Sequence, residues 1–248
     1  MPAALVTGAA RRIGASLALA CAEAGYDVAI HHHTSPEEAN ETADAVRALG
    51  VGACVLTGDL NDAGIGPRLI GEATRSLGPV TLLINNASMF EDDRVGSITE
   101  AGWDAHMAAN LRAPVMLAQA FADALPAGTE GLIVNITDQR VWRPNPQFFS
   151  YSASKAGLWW ATQTLAQALA PHIRVNAIGP GPTLGSVHQA PGEFDAEAAA
   201  TPLGHRVTPA EIGAALRYLI DAKSVTGQMI AVDAGQHLAW RTPDILGE

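Results

Sequence analysis

The chain has 248 residues, of which 48% are hydrophobic and only 16% are charged, a composition typical of a compact globular protein rather than a disordered one. Its net charge of −10 and its pI near 5.2 disfavour nucleic acid and anionic membranes as partners, since either would need a basic face. At this length we expect one domain spanning 1–248.

The first residues and the apolar runs of the chain indicate where in the cell the protein is located. The first residues lack the basic segment, apolar region and cleavage site of a signal peptide. No apolar run approaches the ~20 residues of a membrane span. We therefore expect a cytoplasmic protein. Cys21 and Cys54 fall in a predicted helix and a predicted strand, which indicates small buried side chains rather than a disulfide or a metal site.

Short β-type runs alternate with helical patterns along the whole chain, which predicts an α/β fold with a parallel sheet covered by helices on both faces. The predicted strands are 3–7, 27–32, 53–57, 82–85, 131–137, 174–178 and 229–232. The predicted helices lie near 13–24, 36–49, 65–77, 100–125, 151–170 and 209–220. Ser35 and Thr208 are each followed by Pro and, three residues on, by Glu, which predicts capped helix starts.

The turn after the first strand, Thr7-Gly-Ala-Ala-Arg-Arg-Ile-Gly14, opens a helix, the context that a dinucleotide-binding turn requires. Gly8 can take backbone angles closed to other residues, and Gly14 lets helix and strand approach, so a pyrophosphate can sit at the helix amino end. The spacing departs from GxGxxG, and a tight strand-to-helix connection is the alternative.

The second predicted strand ends in Ile30-His-His-His-Thr34 without the acid that would bind an NAD ribose, and Asp27 comes too early. His31, His32 and His33, together with Arg11, offer donors for a 2′-phosphate, which favours NADP(H). A metal site is disfavoured because successive strand residues point to opposite faces.

The segment 138–155 contains Tyr151 and Lys155. On a helix the i and i+4 spacing places both side chains on one face, where the ammonium can lower the pKa of the phenol from its usual value of ~10. The pair is interpreted as a proton donor and the group that tunes it.

The segment 180–208 is rich in Gly, Pro and Ala and interrupts the alternation of strands and helices. Its position beyond the carboxyl end of a strand favours a lid over the substrate. A surface insertion is the alternative.

With the turn, Asp59-Leu60, Asn85-Asn86-Ala87, Asn110, Tyr151-x-x-x-Lys155 and Pro180-Gly181 in this order, the whole chain resembles the short-chain dehydrogenase/reductase family. The resemblance implies a Rossmann-type, doubly wound seven-stranded sheet, nicotinamide-dependent hydride transfer and commonly a homotetramer.

Residue roles follow from the resemblance position by position. Tyr151 is the implied proton donor, Lys155 its partner and a ribose ligand, and Asn110 the organiser of a proton-relay water. The implied cofactor-binding residues are Gly8, Arg11, Arg12, Ile13, Gly14, His31, His32, His33, Thr34, Asp59, Leu60, Asn86, Ala87, Ser88, Tyr151, Lys155, Pro180 and Gly181.

Three positions depart from the common family pattern: Arg12 replaces the second glycine of the turn, Ser88 replaces the glycine after Asn-Asn-Ala, and Asp138 replaces a serine. These substitutions, with TGAARRIG, HHHTS, NNASMF, YSASK and GPGPT, resemble the pteridine reductase branch, which includes the bacterial dihydromonapterin reductases.

Within that branch Phe90 is expected to stack on a flat heterocycle, with Arg12 and Ser88 also contacting it. Reduction of a C=N bond needs a hydride at carbon and a proton at nitrogen, and Asp138 paired with Tyr151 would supply the proton. Each residue also has a plain structural alternative: packing for Phe90, a helix-surface cation for Arg12 and a turn residue for Asp138.

The sequence therefore predicts an NADPH-dependent reductase of dihydropterins or dihydrofolate. Two alternatives stay open. One is a carbonyl reductase or alcohol dehydrogenase of the same family acting on an unrelated ketone. The other is a dinucleotide-sensing module without catalysis, which the intact Tyr151, Lys155 and Asn110 disfavour.

Overall fold

The computed structural model describes residues 1–186 and 188–240, and it contains a seven-stranded parallel sheet. The strands are β1 (Ala3–Val6), β2 (Asp27–His32), β3 (Ala53–Thr57), β4 (Val80–Asn85), β5 (Gly131–Ile136), β6 (Ile173–Pro180) and β7 (Met229–Val232). They lie in the order β3-β2-β1-β4-β5-β6-β7, with every neighbouring pair parallel. The predicted Rossmann-type fold is confirmed.

Helices pack on both faces of this sheet. They are α1 (Arg12–Glu23), α2 (Pro36–Ala48), α3 (Ile65–Leu77), α4 (Glu100–Met107), α5 (Ala113–Ala124), α6 (Phe149–Leu169), α7 (Glu193–Ala199) and α8 (Pro209–Asp221). Gln139–Val141 and Gln236–Leu238 form short 3-10 turns. None of the described helices is both long enough and apolar enough to cross a membrane.

Two helical predictions need correction. The single helix expected over 100–125 is divided by a π-helical segment, Ala108–Arg112. Helix α7 lies inside the segment 180–208, where the sequence predicts none, because its seven residues are too few to show a helical period between flanking Gly and Pro residues. Val187 of that segment and residues 241–248 of the predicted domain lie outside the described residues.

The core consists of two apolar layers, one on each side of the sheet. Along β1, Ala4 and Val6 face one layer while Ala3 and Leu5 face the other, and all four side chains are fully buried. This alternation explains why the strands are apolar throughout, as in parallel sheets covered on both faces. Cys21 is buried and Cys54 is half-buried, and both are free thiols.

Both α2 and α8 begin where the sequence predicts, but only one of the two predicted caps makes side-chain hydrogen bonds. Thr208 forms a capping box with Glu211 at the start of α8. At the start of α2 the side chain of Ser35 makes no capping hydrogen bond, and Pro36 occupies the first turn. The helix start predicted at Ser35 is therefore confirmed, whereas the predicted capping hydrogen bond of its hydroxyl is wrong.

The strand order leaves a crevice between β1 and β4. The chain runs from β1 outward through β2 and β3 and returns to place β4 on the other side of β1. The connections after β1 and β4 therefore diverge, which leaves a crevice at the carboxyl ends of the two strands.

Candidate active site

A cavity of about 550 Å3 lies at this crevice. It is lined by the turn after β1, the end of β2 and the residues that follow β3 and β4. The predicted cofactor residues that line it are Gly8, Arg11, Arg12, Ile13, Gly14, His31, His32, His33, Thr34, Asp59, Leu60, Asn86, Ala87 and Ser88. We call it the cofactor-side cavity.

Two glycines of the turn are required by geometry. Gly8 has a φ of +62°, and a Cβ there would lie 2.9 Å from the Cα of Ala87. A Cβ on Gly14 would lie 2.1 Å from the carbonyl oxygen of Gly8. The turn and the amino end of α1 can therefore pack this closely only with glycine at both positions.

Arg12, which replaces a glycine of the common pattern, also has a left-handed backbone, with a φ of +57°. This conformation explains why glycine is usual at this position. The guanidinium donates hydrogen bonds of 3.2 Å to the carbonyl oxygens of Leu184 and Gly185. Arg12 therefore joins the turn to the segment 180–208.

Asn86 and Thr7 hold the turn against the end of β4. The Asn86 side-chain amide donates to the carbonyl oxygens of Thr7 (2.9 Å) and Gly8 (3.0 Å). The Thr7 hydroxyl oxygen accepts from the backbone N–H groups of Asn86 and Ala87. Asn86 thus shapes the cavity through backbone contacts, a role that the sequence alone does not indicate.

His31 is buried, and both of its ring nitrogens form hydrogen bonds within the protein. Its Nδ1 accepts a hydrogen bond from the Gly8 N–H (3.2 Å), and its Nε2 donates to the Gly58 carbonyl oxygen (3.1 Å). This arrangement assigns the neutral tautomer protonated at Nε2. Burial lowers the pKa of His31 to about 4, so the ring carries no charge at neutral pH. His31 therefore fixes the turn and supplies no positive charge for a 2′-phosphate.

The other predicted phosphate ligands differ in exposure. His32 is buried, with Nε2 2.9 Å from the Thr57 hydroxyl and with no partner for Nδ1 among the described residues. His33 and Arg11 are exposed, and each lies near an acid at 3.8–3.9 Å. Across the described part of the chain no cluster of three or more potential metal ligands occurs.

A second cavity of about 330 Å3 adjoins the first, and Arg12, Ile13, Asn86 and Ser88 line both. It also contains the predicted residues Phe90, Asp138, Tyr151, Lys155, Pro180 and Gly181. We call it the substrate-side cavity. The structure brings the predicted cofactor and substrate residues of the two cavities together in two connected spaces. Their roles in binding and catalysis stay predictions.

Tyr151 and Asp138 form the polar centre of the substrate-side cavity. The Tyr151 hydroxyl donates to Oδ2 of Asp138 at 2.8 Å, and Oδ1 of Asp138 accepts from the backbone N–H of Arg140 at 2.8 Å. The second contact caps the 3-10 turn Gln139–Val141 and fixes the carboxyl group opposite α6. The predicted pairing of Asp138 with Tyr151 is therefore present as a direct hydrogen bond.

Burial and this contact shift both pKa values. Burial raises the pKa of Asp138, against the opposing charge of Arg140. Burial and the neighbouring carboxylate raise the pKa of Tyr151 well above its usual range. The direction is opposite to the lowering that the spacing of Tyr151 and Lys155 predicts, because the phenol is buried and faces an acid.

Lys155 is buried behind Tyr151 on α6. Its Nζ donates to the Ile136 carbonyl oxygen (2.8 Å) and lies 5.7 Å from the centroid of the Tyr151 ring. Burial lowers the pKa of Lys155 to about 8, while the charge of Asp138 opposes the shift. The predicted placement of the two side chains on one face of the helix is confirmed.

Asn110 lies in the π-helical segment and is fully buried. Its amide accepts from the Met89 N–H (2.7 Å) and donates to the Met89 carbonyl oxygen (2.9 Å) and to the Ser154 hydroxyl (3.0 Å). These contacts attach the segment that carries Ser88 and Phe90 to α6. The side chain therefore positions this wall of the cavity, in addition to any role in the predicted water relay.

Phe90 lies in the cavity as predicted, but one face of its ring is already covered. The Phe148 ring stacks on it at 4.3 Å between centroids and 12° between planes, and Tyr151 meets it edge-on at 4.7 Å. Phe148 has a left-handed φ of +51° at the start of α6. Phe149 instead packs near Trp103, and Trp142 packs against Trp159. The cavity therefore has an aromatic wall of two rings.

The cavity also contains residues that the sequence does not single out. Glu197 of α7 accepts hydrogen bonds from the side-chain amides of Gln189 (2.8 Å) and Gln236 (2.9 Å), and all three line the cavity. Arg140 lines it as well. These residues come from separate segments, so no local pattern in the sequence brings them together.

The chain is similar over most of its length to known reductases. The family model described as "Enoyl-(Acyl carrier protein) reductase" matches residues 8–237. The chain is 31% identical over 240 residues to 3-oxoacyl-[acyl-carrier-protein] reductase FabG of Staphylococcus aureus (strain Mu50), covering 95% of this chain and 98% of the relative. It is also 31% identical over 246 residues to the short-chain dehydrogenase/reductase FrzI of a Cladobotryum species, covering 94% and 95%.

A solved structure is more similar. FolM alternative dihydrofolate reductase 1 from Brucella suis, in complex with NADP, shares 50% sequence identity and a TM-score of 0.95, covering 99% of this chain and 98% of that one.

Proposed function

Because the chain belongs to the short-chain dehydrogenase/reductase family of oxidoreductases, we propose that it is an NADPH-dependent pteridine reductase acting on a C=N bond of a dihydropterin or dihydrofolate. The observation that carries this proposal is the hydrogen bond between Asp138 and Tyr151 beside the aromatic wall of the substrate-side cavity. Membership of the family confirms the resemblance predicted from the motifs. The similarity to FolM supports the predicted branch.

The chain's own residues fit NADP(H). Gly8 and Gly14 leave room for a pyrophosphate at the amino end of α1, where backbone N–H groups and the helix dipole favour an anion. Arg11, just before α1, and His33, just after β2, are both exposed, and β2 has no acid at its carboxyl end, so the two side chains fit a 2′-phosphate. When bound, the nicotinamide supplies the hydride. The NADP complex of the Brucella suis relative supports the same choice.

The proton comes from the coupled pair in the substrate-side cavity. A C=N bond that receives hydride at carbon must receive a proton at nitrogen. The Tyr151 hydroxyl donates that proton, and Asp138 then returns one to the phenolate across their hydrogen bond. Burial raises the pKa of Asp138, so this carboxyl group holds a proton nearer to neutral pH than an exposed one would. Lys155 stabilises negative charge as it forms on Tyr151.

The walls of the cavity suit a flat, polar ring. Phe90 and Phe148 offer aromatic surface, and the polar side chains of Ser88 and Arg12 line the same cavity. The segment 180–208 acts as a lid in this proposal, supported by the contacts of Arg12 with Leu184 and Gly185. The homotetramer implied by the family stays a prediction that light scattering can test.

A second candidate is a reductase of 3-oxoacyl thioesters. The similarity to FabG favours it, and it falls within the predicted class of carbonyl reductases acting on an unrelated ketone. Both reductions add one hydride and one proton, so the proton count does not separate the two candidates. The aromatic wall of Phe90 and Phe148, which suits a flat ring better than an acyl chain, favours the pterin.

The test is NADPH consumption with dihydromonapterin, dihydrobiopterin, dihydrofolate and acetoacetyl thioester, each against a blank without substrate. We expect turnover with at least one of the three pterins at a kcat/KM above that for the thioester. No turnover above the blank with any pterin would refute the proposal, and turnover with the thioester alone would establish the second candidate.

A further inference from the structure

Arg140 presents an unused donor in the substrate-side cavity. It follows Asp138 by two residues, on the 3-10 turn that Asp138 caps, and it lines the cavity. Its Nη1 atom is buried and has no hydrogen-bond partner among residues 1–186 and 188–240. A buried guanidinium nitrogen without an acceptor costs free energy, so its presence beside the proposed reaction centre needs an explanation.

The surroundings of Arg140 hold the guanidinium in place without satisfying that atom. Its Cζ lies 5.0 Å from the centroid of the Phe148 ring and 5.9 Å from that of Phe90, so it packs beside the aromatic wall. Glu197, another acid of the cavity, has both carboxylate oxygens engaged by Gln189 and Gln236. A molecule that enters the cavity can therefore supply the acceptor for Nη1.

We propose that Arg140 is a substrate-binding residue whose guanidinium donates a hydrogen bond to an oxygen atom of the substrate. The inference rests on the proposed function, because it takes the ligand of this cavity to be a pterin that stacks on the aromatic wall. It deepens that function by assigning a specificity residue apart from the proton donors.

Two oxygens of a pterin substrate have the required chemistry. One is the carbonyl oxygen of the heterocycle, which dihydrobiopterin and dihydrofolate share. The other is a carboxylate oxygen of the side chain, which only dihydrofolate has. Arginine donates well to either, and a carboxylate gives the stronger contact.

The experiment measures binding rather than turnover. Isothermal titration gives Kd values of dihydrobiopterin and dihydrofolate for the NADP-loaded wild type, Arg140→Met and Arg143→Met. Methionine keeps an apolar stem against the rings and removes the donors. Arg143 is an exposed arginine two residues after the same 3-10 turn and serves as the matched control.

Loss of one charge-assisted hydrogen bond predicts a Kd about tenfold higher for Arg140→Met. An increase for both ligands identifies the ring carbonyl as the acceptor, and an increase for dihydrofolate alone identifies the carboxylate. Arg143→Met should bind both ligands as the wild type does.

Kd values for both ligands within twofold of wild type would overturn the assignment of Arg140 while leaving the proposed function intact. If Arg140→Met does not fold, judged by its thermal unfolding, Arg140→Leu replaces it, since leucine also removes the donors, and it should show the same rise in Kd. If the wild type binds neither ligand, the proposed function fails and the inference with it.

Discussion

The two cavities of this protein differ in how the chain builds them. The cofactor-side cavity is made by short turns that each follow a strand at one edge of the sheet, and backbone atoms shape much of it. The substrate-side cavity is made by side chains from distant parts of the chain, among them Phe90, Asp138 and Glu197. Local geometry therefore decides the first, and tertiary packing decides the second.

Because individual side chains form the substrate-side cavity, we expect single substitutions there to have the largest effects on activity. Tyr151→Phe removes the proposed proton donor and should lower kcat/KM by ~10²–10⁴-fold, the usual contribution of a general acid. NADPH affinity should change much less than kcat/KM, because Tyr151 does not line the cofactor-side cavity and phenylalanine keeps the aromatic ring. Steady-state kinetics and a cofactor titration check both parts, with the exposed Tyr218→Phe as control. Unchanged turnover would show that the proton comes from elsewhere.

The second prediction concerns Asp138 and pH. A carboxyl group with a raised pKa is protonated below that pKa and ionised above it, and the donor pair must be protonated to act. For the wild type, kcat/KM should therefore fall as pH rises through the pKa of the pair. Asp138→Ser should lower kcat/KM at neutral pH by ~10–10²-fold and move that fall to higher pH, since the hydroxyl that replaces the carboxyl does not ionise there.

A pH profile of kcat/KM for the two proteins, between pH 5 and 9 or so, makes the comparison. Identical profiles would mean that Asp138 has no part in proton delivery. The carboxyl group would then be only the cap of the 3-10 turn.

In the cofactor-side cavity the largest effect should come from the backbone. The Cβ of Gly14→Ala would lie 2.1 Å from the Gly8 carbonyl oxygen and 2.7 Å from the Asn86 amide nitrogen. Forcing the turn apart should weaken NADPH binding by about tenfold, from ~1–3 kcal/mol of overpacking. Gly71→Ala on α3, whose Cβ would meet only the Arg75 side chain at 3.4 Å, is the control. Equal NADPH affinity in the wild type, Gly14→Ala and Gly71→Ala would show that the close packing of the turn does not contribute to cofactor binding.

The smallest effect should come from an exposed charge. Arg11→Ala should raise KM for NADPH by up to about fivefold, since exposed charge pairs contribute up to ~1 kcal/mol. KM for NADH should not change, because NADH has no 2′-phosphate. A parallel change with both cofactors would place Arg11 away from that phosphate.

The same contrast explains what the sequence could predict. The parallel sheet, the turn at Gly8 and Gly14, and the positions of Tyr151 and Lys155 follow from contiguous patterns. Each depends on the local period of strands and helices or on the backbone freedom of glycine. Such features are visible in a single sequence.

Other features depend on contacts between distant residues. His31 appears in the sequence as one of three phosphate donors, whereas its two hydrogen bonds join Gly8 to Gly58. The pKa of Tyr151 rises because the fold buries the phenol and places Asp138 against it. Arg140 belongs to no motif, and only the folded cavity shows that its Nη1 atom has no hydrogen-bond partner among the described residues.

The central claim is that hydride passes from NADPH to a carbon of a pterin C=N bond while the Asp138–Tyr151 pair protonates the nitrogen. The most direct measurement is mass spectrometry of the product formed from NADPH deuterated at nicotinamide C4, with the dihydropterin that turns over best. We predict a tetrahydropterin carrying one deuterium on carbon, and no such product from Tyr151→Phe beyond its residual rate. A tetrahydropterin without deuterium, or deuterium found only in a hydroxyacyl product when the thioester is supplied, would contradict the account.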